Sequence, residues 1–128
     1  MPAEYTYDYA IIRVVPRVER GERLNAGVVV FCRPRRYLAA RTHADERRLT
    51  ALWPEVDVDG VRAHLSAIER VAAGDPEAGP IAQLDETARF HWLVAPSSTI
   101  IQPSSVHTGL CGEPADELEK LFQSLVTA

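Results

Sequence analysis

The polar residues best suited to chemistry surround the end of the first predicted strand. Six of them combine guanidinium, carboxylate and amide groups within a short stretch: Arg13, Arg17, Glu19, Arg20, Glu22 and Asn25. Arg13 lies mid-strand on a largely apolar face, where an unpaired charge costs several kcal/mol, so we expect it to pair with Glu19 or Glu22. These residues form either an ion-pair cluster that locks the loop or an Arg/Glu site for a phosphate or carboxylate ligand.

A second polar segment, residues 97–109, is rich in hydroxyl groups and contains one glutamine and one histidine. If this segment pairs beside the first strand, Gln102, Ser104 and His107 would meet the Arg13 cluster and form one polar pocket. A serine near a histidine is also compatible with a hydrolase, but no GxSxG elbow accompanies it. We therefore predict a ligand or partner site here, and no catalytic residue.

A basic turn follows the second predicted strand and contains a weaker candidate for nucleic-acid binding. Its arginines are Arg33, Arg35, Arg36 and Arg41. Clustered arginine releases counterions from phosphate, which favours nucleic acid. However, the chain has a pI of about 5.5 and a net charge of -4, whereas nucleic-acid-binding domains are usually basic. A solvated hairpin tip is the simpler interpretation, and nucleic acid is an unlikely partner.

The charge is unevenly divided along the chain. Residues 1–48 sum to +4 and residues 49–128 sum to -8, which together give the net charge of -4. Either the two halves neutralise one another in the fold, or the basic half faces an anionic partner.

Other chemistries have little support in the sequence. The four histidines lack metal-ligand spacing and no glycine-rich phosphate loop is present, so we predict no metal and no cofactor. Cys32 and Cys111 are far apart in sequence and read as reduced thiols, Cys32 as a buried one. No apolar run approaches the ~18 residues of a membrane span and no signal peptide is visible, so we expect a cytoplasmic protein.

Length and composition favour a single domain over residues 1–128. The 128 residues are 46% hydrophobic and 25% charged, which is ordinary for a globular protein. The first part has the alternation of strands: residues 5–15, an apolar run over 28–32 that predicts a central strand covered on both faces, and a return over 37–41. We predict that these three form an antiparallel meander.

The pattern then changes to a helical period. Residues 42–45 resemble a capping box before a short helix that Pro54 ends, and Asp57 or Asp59 caps a longer helix that ends at Gly74. Residues 88–95 fit a helix or a strand; we interpret them as a helix. One later strand over 99–102, continued by 106–110, and a last helix from Pro114 complete the pattern. The predicted fold is α+β, with three to four helices packed on the sheet.

Two blocks of the sequence resemble a known bacterial family, DUF3037. The first comprises YDYAIIRVVP (7–16), ERGE (19–22) and NAGVVVFC (25–32), and the second ARFHWL (88–93), STIIQPS (98–104) and VHTGL (106–110). The function of this family is unknown, so the resemblance implies no mechanism. Its members are often encoded beside a HipA-like kinase protein, which implies such a kinase as a partner only by neighbourhood.

Three functions remain open, and we favour the first over the other two. The first is a non-enzymatic interaction or regulatory module whose polar cluster and basic hairpin contact a protein partner. The second is a small enzyme or ligand-binding protein in which Arg13 and Arg20 clamp an anion and Glu19 or Glu22 acts as acid or base. The third is nucleic-acid binding through the basic hairpin.

Overall fold

Five strands and four helices make up the fold, seen in a computed structural model that describes residues 4–128. In chain order the elements are β1 (Tyr5–Val14), β2 (Leu24–Cys32), β3 (Tyr37–Thr42), α1 (Glu46–Leu52), α2 (Val58–Ala73), α3 (Glu86–Val94), β4 (Ile101–Pro103), β5 (His107–Cys111) and α4 (Pro114–Leu125). The α+β class and the N-terminal antiparallel meander are confirmed.

The sheet is antiparallel and is centred on β1 and β2. β3 pairs with β2 and β2 with β1, while β4 and β5 follow one another along the other edge of β1. From Ala26 to Cys32 every residue of β2 is buried. This confirms the prediction that the apolar run forms a central strand covered on both faces.

Alternation along the strands divides the apolar residues between two cores. Ile12, Val29 and Phe31 point to one face, where they pack with buried residues of α1, α2 and α3. Tyr7 and Val30 point to the opposite face and pack with Leu118 and Phe122 of α4. Strand side chains change face at every residue, so the two layers of helices must lie on opposite sides of the sheet.

Side-chain caps define where the helices begin. The carboxylates of Asp45, Asp57, Asp85 and Glu113 each accept a backbone N–H in the first turn of the helix that follows. Residues 86–94 form α3, which confirms the helical interpretation of the ambiguous segment. None of the helices in residues 4–128 has the length and apolar character needed to cross a membrane.

The proposed capping box at residues 42–45 was placed too early. Thr42 is the last residue of β3, and its N–H and hydroxyl both donate to the Glu69 carboxylate, at 2.9 and 3.0 Å. The cap is Asp45, three residues later. A long-range partner on α2 therefore outweighs the local pattern at Thr42.

The later strand is divided into two short ones, β4 and β5. Between them the Ser104 N–H donates to the Ile11 carbonyl, and the Ser104 hydroxyl accepts the Ile11 N–H. Side chain and backbone of one residue thus bridge the gap, and both pieces continue to pair with β1. Pro103 lies opposite Ile12, whose peptide groups face β2, so its missing N–H costs no bond to β1.

The caps lead to a first prediction, which compares two neighbouring aspartates. Asp57 Oδ1 accepts the Gly60 N–H at 3.0 Å, whereas the carboxylate of Asp59 is almost fully exposed. We expect Asp57→Ala to lower the free energy of unfolding by about 1 kcal/mol. The matched variant Asp59→Ala should lower it by only a few tenths. Urea unfolding followed by circular dichroism measures both, and equal losses would contradict Asp57 as the cap.

Candidate functional site

The acidic residues of the β1–β2 loop do not pair with Arg13. Glu19 accepts from Arg17 at 2.8 Å and Glu22 binds Arg20, and all four side chains are exposed. The hydrogen bond from Arg20 lowers the pKa of Glu22. The predicted pairing of Arg13 with Glu19 or Glu22 is therefore wrong, because each carboxylate has an arginine two residues away.

Asn25 ties the sheet to the last helix. Its side-chain amide donates to the Leu125 carbonyl at 3.1 Å, at the C-terminal end of α4. Helix ends leave their last carbonyls without partners inside the helix, so this bond satisfies one of them. Asn25 neighbours Arg13 in the sheet, but its amide N–H is engaged by the fold.

Arg13 is the partly buried cation of this region. It pairs across the sheet with Asn25 on one side and Gln102 on the other, as expected if the late segment lies beside the first strand. One guanidinium nitrogen donates to the Pro103 carbonyl at 3.4 Å, and Nε is buried without a hydrogen-bond partner. Burial, and then the charge of Arg23, lower the pKa of Arg13. No carboxylate within residues 4–128 forms an ion pair with it.

Arg13 belongs to a row of side chains on the same face of the sheet as α4. We define the Arg13 strip as five residues on three adjacent strands: Tyr9, Ile11 and Arg13 of β1, Gln102 of β4 and His107 of β5. The rings of Tyr9 and His107 lie 5.2 Å apart. His107 is exposed and the other four are partly buried. The helix α4 packs over β2 and β3, and every residue of the strip keeps part of its surface exposed.

Two of the late-segment candidates are occupied by local bonds. Ser104 is buried, and its hydroxyl accepts the Ile11 N–H at 2.8 Å and donates to the Ser105 carbonyl at 2.9 Å. The Gln102 amide donates to the Thr99 carbonyl at 2.8 Å. The hydroxyl of Ser104 is thus part of the sheet, and the amide N–H of Gln102 is bonded within its own segment.

The basic hairpin is partly neutralised by α4. Arg35 donates to the Gly112 carbonyl and pairs with Glu113, and Arg41 pairs with Glu119. Arg41 also lies over the Phe122 ring, 4.5 Å from its centre. The remaining arginines of the candidate nucleic-acid set, Arg33 and Arg36, are exposed. The uneven charge along the sequence is therefore in part an internal contact between the basic half and α4.

The sequence analysis missed two features that only the fold brings together. Cys32 and Cys111 are free thiols buried in the same core beneath α4, although 78 positions separate them. Burial raises the pKa of Cys111 to about 11, so this thiol is protonated at neutral pH. A cleft of about 260 Å³ lies on the opposite face of the sheet, between His64 of α2, Trp92 of α3 and Ile101 of β4.

Metal ligation has no support in this arrangement. No group of three or more histidine, cysteine or acidic side chains within residues 4–128 could hold a metal ion. The chemistry available at the strip is that of one cation, two aromatic rings and an amide.

Comparison with known proteins adds a family and no mechanism. The model of a family described as "Protein of unknown function (DUF3037)" matches residues 9–126, nearly the whole chain. No curated protein and no solved structure matches the chain significantly.

A second prediction tests the structural role of Ser104. Ser104→Ala leaves the Ile11 N–H without its acceptor, so we expect the free energy of unfolding to fall by about 1–3 kcal/mol. Ser105→Ala, at the exposed neighbouring position, is the matched control and should change it by less than ~0.5 kcal/mol. Thermal unfolding followed by circular dichroism measures both variants. An unchanged Tm for Ser104→Ala would contradict the bridging role.

A third prediction concerns Tyr7, whose hydroxyl donates to Glu117 at 2.8 Å and fixes α4 on the sheet. Burial first, and then the bond to Glu117, raise the pKa of Tyr7 above its usual 10.0. Stability that depends on neutral Tyr7 is present below pH ~10 and is lost as the pH rises above it. We expect the free energy of unfolding to fall less between about pH 9 and about pH 11 in Tyr7→Phe than in the wild type. Parallel curves in urea titrations would contradict this.

Proposed function

The chain belongs to the DUF3037 family, and we propose that it is a non-enzymatic interaction module that binds an acidic segment of a protein partner through the Arg13 strip. The observation that carries this proposal is the state of Arg13. It is a partly buried guanidinium on an accessible sheet face, with a single long hydrogen bond and no carboxylate partner within residues 4–128.

An incoming carboxylate would accept hydrogen bonds from the guanidinium N–H groups of Arg13 that the fold leaves without an acceptor. A guanidinium has five N–H donors and matches a carboxylate with two parallel bonds. Because Arg13 is already partly desolvated, a partner would remove less water from it than from an exposed arginine. The nearby Arg23 adds a second positive charge. Together these features favour an acidic segment over a basic or neutral one.

The other residues of the strip are typical of protein interfaces. Tyrosine and arginine are enriched among the residues that dominate binding energy, and Tyr9 and Arg13 lie four residues apart on the same face. Ile11 lies between them and the His107 ring packs against Tyr9. The strip lies on a sheet face, whereas small-molecule sites are usually concave pockets, so a protein surface fits it better than a small ligand does.

The two alternative functions have weaker support. An enzyme using Glu19 or Glu22 as acid or base beside Arg13 would need those carboxylates free, yet they bind Arg17 and Arg20. A nucleic-acid site on the hairpin is weakened because two of its candidate arginines, Arg35 and Arg41, are paired with Glu113 and Glu119.

A HipA-like kinase is the partner that we propose, on the neighbourhood that the family resemblance implies. In this proposal the module regulates or positions the kinase by binding an acidic surface segment of it. We place the complex in the cytoplasm, a setting that the two free thiols of the core support, since such pairs stay reduced there.

The test of this proposal is a binding titration between the purified chain and a HipA-like kinase encoded beside a member of the family. We expect a complex at micromolar concentration in low salt. Arg13→Gln and Tyr9→Ala should each weaken it by at least ~10-fold, because residues of this type dominate interfaces. Affinity should also fall as salt is raised.

Arg47→Gln is the matched control, since it removes the same charge from an exposed site on α1, outside both the strip and the basic hairpin. It should leave the affinity within about twofold of the wild type. Circular dichroism and Tm verify that each variant is folded. Absence of a complex at micromolar concentration, or equal losses in Arg13→Gln and Arg47→Gln, would overturn the proposal.

A further inference from the structure

β5 is an edge strand of the sheet, and one of its two sides is unpaired. It bonds to β1 from Tyr5–Cys111 to Tyr9–His107, and no other segment of residues 4–128 pairs with it. An edge strand presents a row of backbone N–H and C=O groups that another strand can bind.

The alternation of antiparallel pairing identifies the outward groups. The N–H and C=O of Ile11 both bond toward the β4–β5 side, to Ser104. Residues at odd positions of β1 therefore bond toward this side, so Tyr7 and Tyr9 exchange bonds with Gly109 and His107. It follows that Thr108 and Leu110, at the intervening positions, direct their N–H and C=O groups outward.

The side chains of this edge do not protect it. Leu110 is 63% exposed, the most of the exposed large hydrophobic residues, and Val106 just before the strand is 43% exposed. Natural edge strands are commonly blunted by lysine, proline or an inward-pointing charge. The sequence of β5, HTGLC, contains none of these.

We propose that β5 pairs antiparallel with β5 of a second copy of this chain, about a two-fold axis at Gly109. This register places Thr108 opposite Leu110 of the second copy and Leu110 opposite its Thr108. Thr108 and Leu110 of the two copies together direct four N–H groups and four C=O groups outward. All of these groups are then bonded across the axis. Gly109 faces its counterpart at a non-hydrogen-bonded position, where strands approach most closely. The Tyr7 ring of the same chain lies over Gly109 and takes the place of its missing side chain.

A second copy fits this edge because the edge is complementary to itself. The two residues with outward groups are symmetric about Gly109, so one two-fold axis satisfies both, which is the property of an isologous interface. The strand carries no formal charge, so pairing brings no like charges directly together although the chain has a net charge of -4. Asp8, which binds the Thr108 hydroxyl, would lie about 16 Å from its counterpart, beyond the screening length at physiological salt.

The exposed leucine would be covered in the same arrangement. On an antiparallel ladder, Leu110 lies directly beside Thr108 of the second copy and diagonally beside its Leu110. Both contacts fall on the face of the sheet opposite to α4, because Gly109 and Leu110 point to opposite sides. The Leu110 contacts thus lie on the face opposite to the Arg13 strip, although one strip residue, His107, belongs to β5 itself.

Sedimentation velocity of the full chain over a range of concentrations tests this inference. We expect conversion from a 14.2 kDa monomer to a species of twice that mass as concentration rises. Leu110→Lys should abolish the dimer, because it places two positive charges beside one another. Leu110→Pro removes an outward N–H without touching the bonds to β1, and should also give a monomer.

Leu84→Lys is the matched control, since Leu84 is another exposed leucine, at 44%, outside β5. It should dimerise like the wild type. Amide hydrogen exchange of the wild-type chain gives a measurement that needs no variant. Exchange at Thr108 and Leu110 should slow by at least ~10-fold as concentration rises through the dimerisation range. A chain that stays monomeric, or a dimer that protects other amides, would overturn the proposal.

Discussion

β1 bonds to β2 along one edge and to β4 and β5 along the other, and this pairing determines the environment of almost every residue considered above. A strand bonded on both edges has no freedom to slip, since a shift of one residue would move Ile12 and Val14 out of the core and Arg13 into it. The same pairing places Gln102 beside Arg13 and His107 beside Tyr9. The strip is therefore a consequence of the register.

The helices contribute by covering only part of the sheet. α4 packs on β2 and β3, and is fixed there by Tyr7 to Glu117, by Asn25 to the end of the helix, and by Arg41 over Phe122. Arg35 and Arg41 find carboxylates on or beside α4 because they lie on the covered side. Arg13 lies on β1, and within residues 4–128 it has no ion-pair partner of the kind the hairpin arginines have.

Patterns within one element were sufficient to predict most of the fold. The apolar run of β2, the stripe of α2 and the stop at Gly74 depend on neighbours a few residues away, and each was confirmed. The site was harder, because its contacts join distant segments. Glu19 and Glu22 illustrate this: nothing in the sequence ranks a distant Arg13 against an arginine two positions away. Thr42, Ser104 and the two cysteines likewise depend on partners that only the strand order brings near.

The part of the sheet that α4 leaves uncovered also connects the two proposed surfaces. Strands that pair antiparallel at an edge are related by an axis perpendicular to the sheet, so both copies turn the same face in the same direction. Two Arg13 strips would then lie on one side of a continuous sheet. The His107 of each strip would lie on β5, the strand nearest to the two-fold axis. A partner that carries two acidic segments, or that is itself a dimer, would bind such a pair far more tightly than a single strip, because the second contact is intramolecular. Weak binding to one strip would in that case be compatible with a stable assembly.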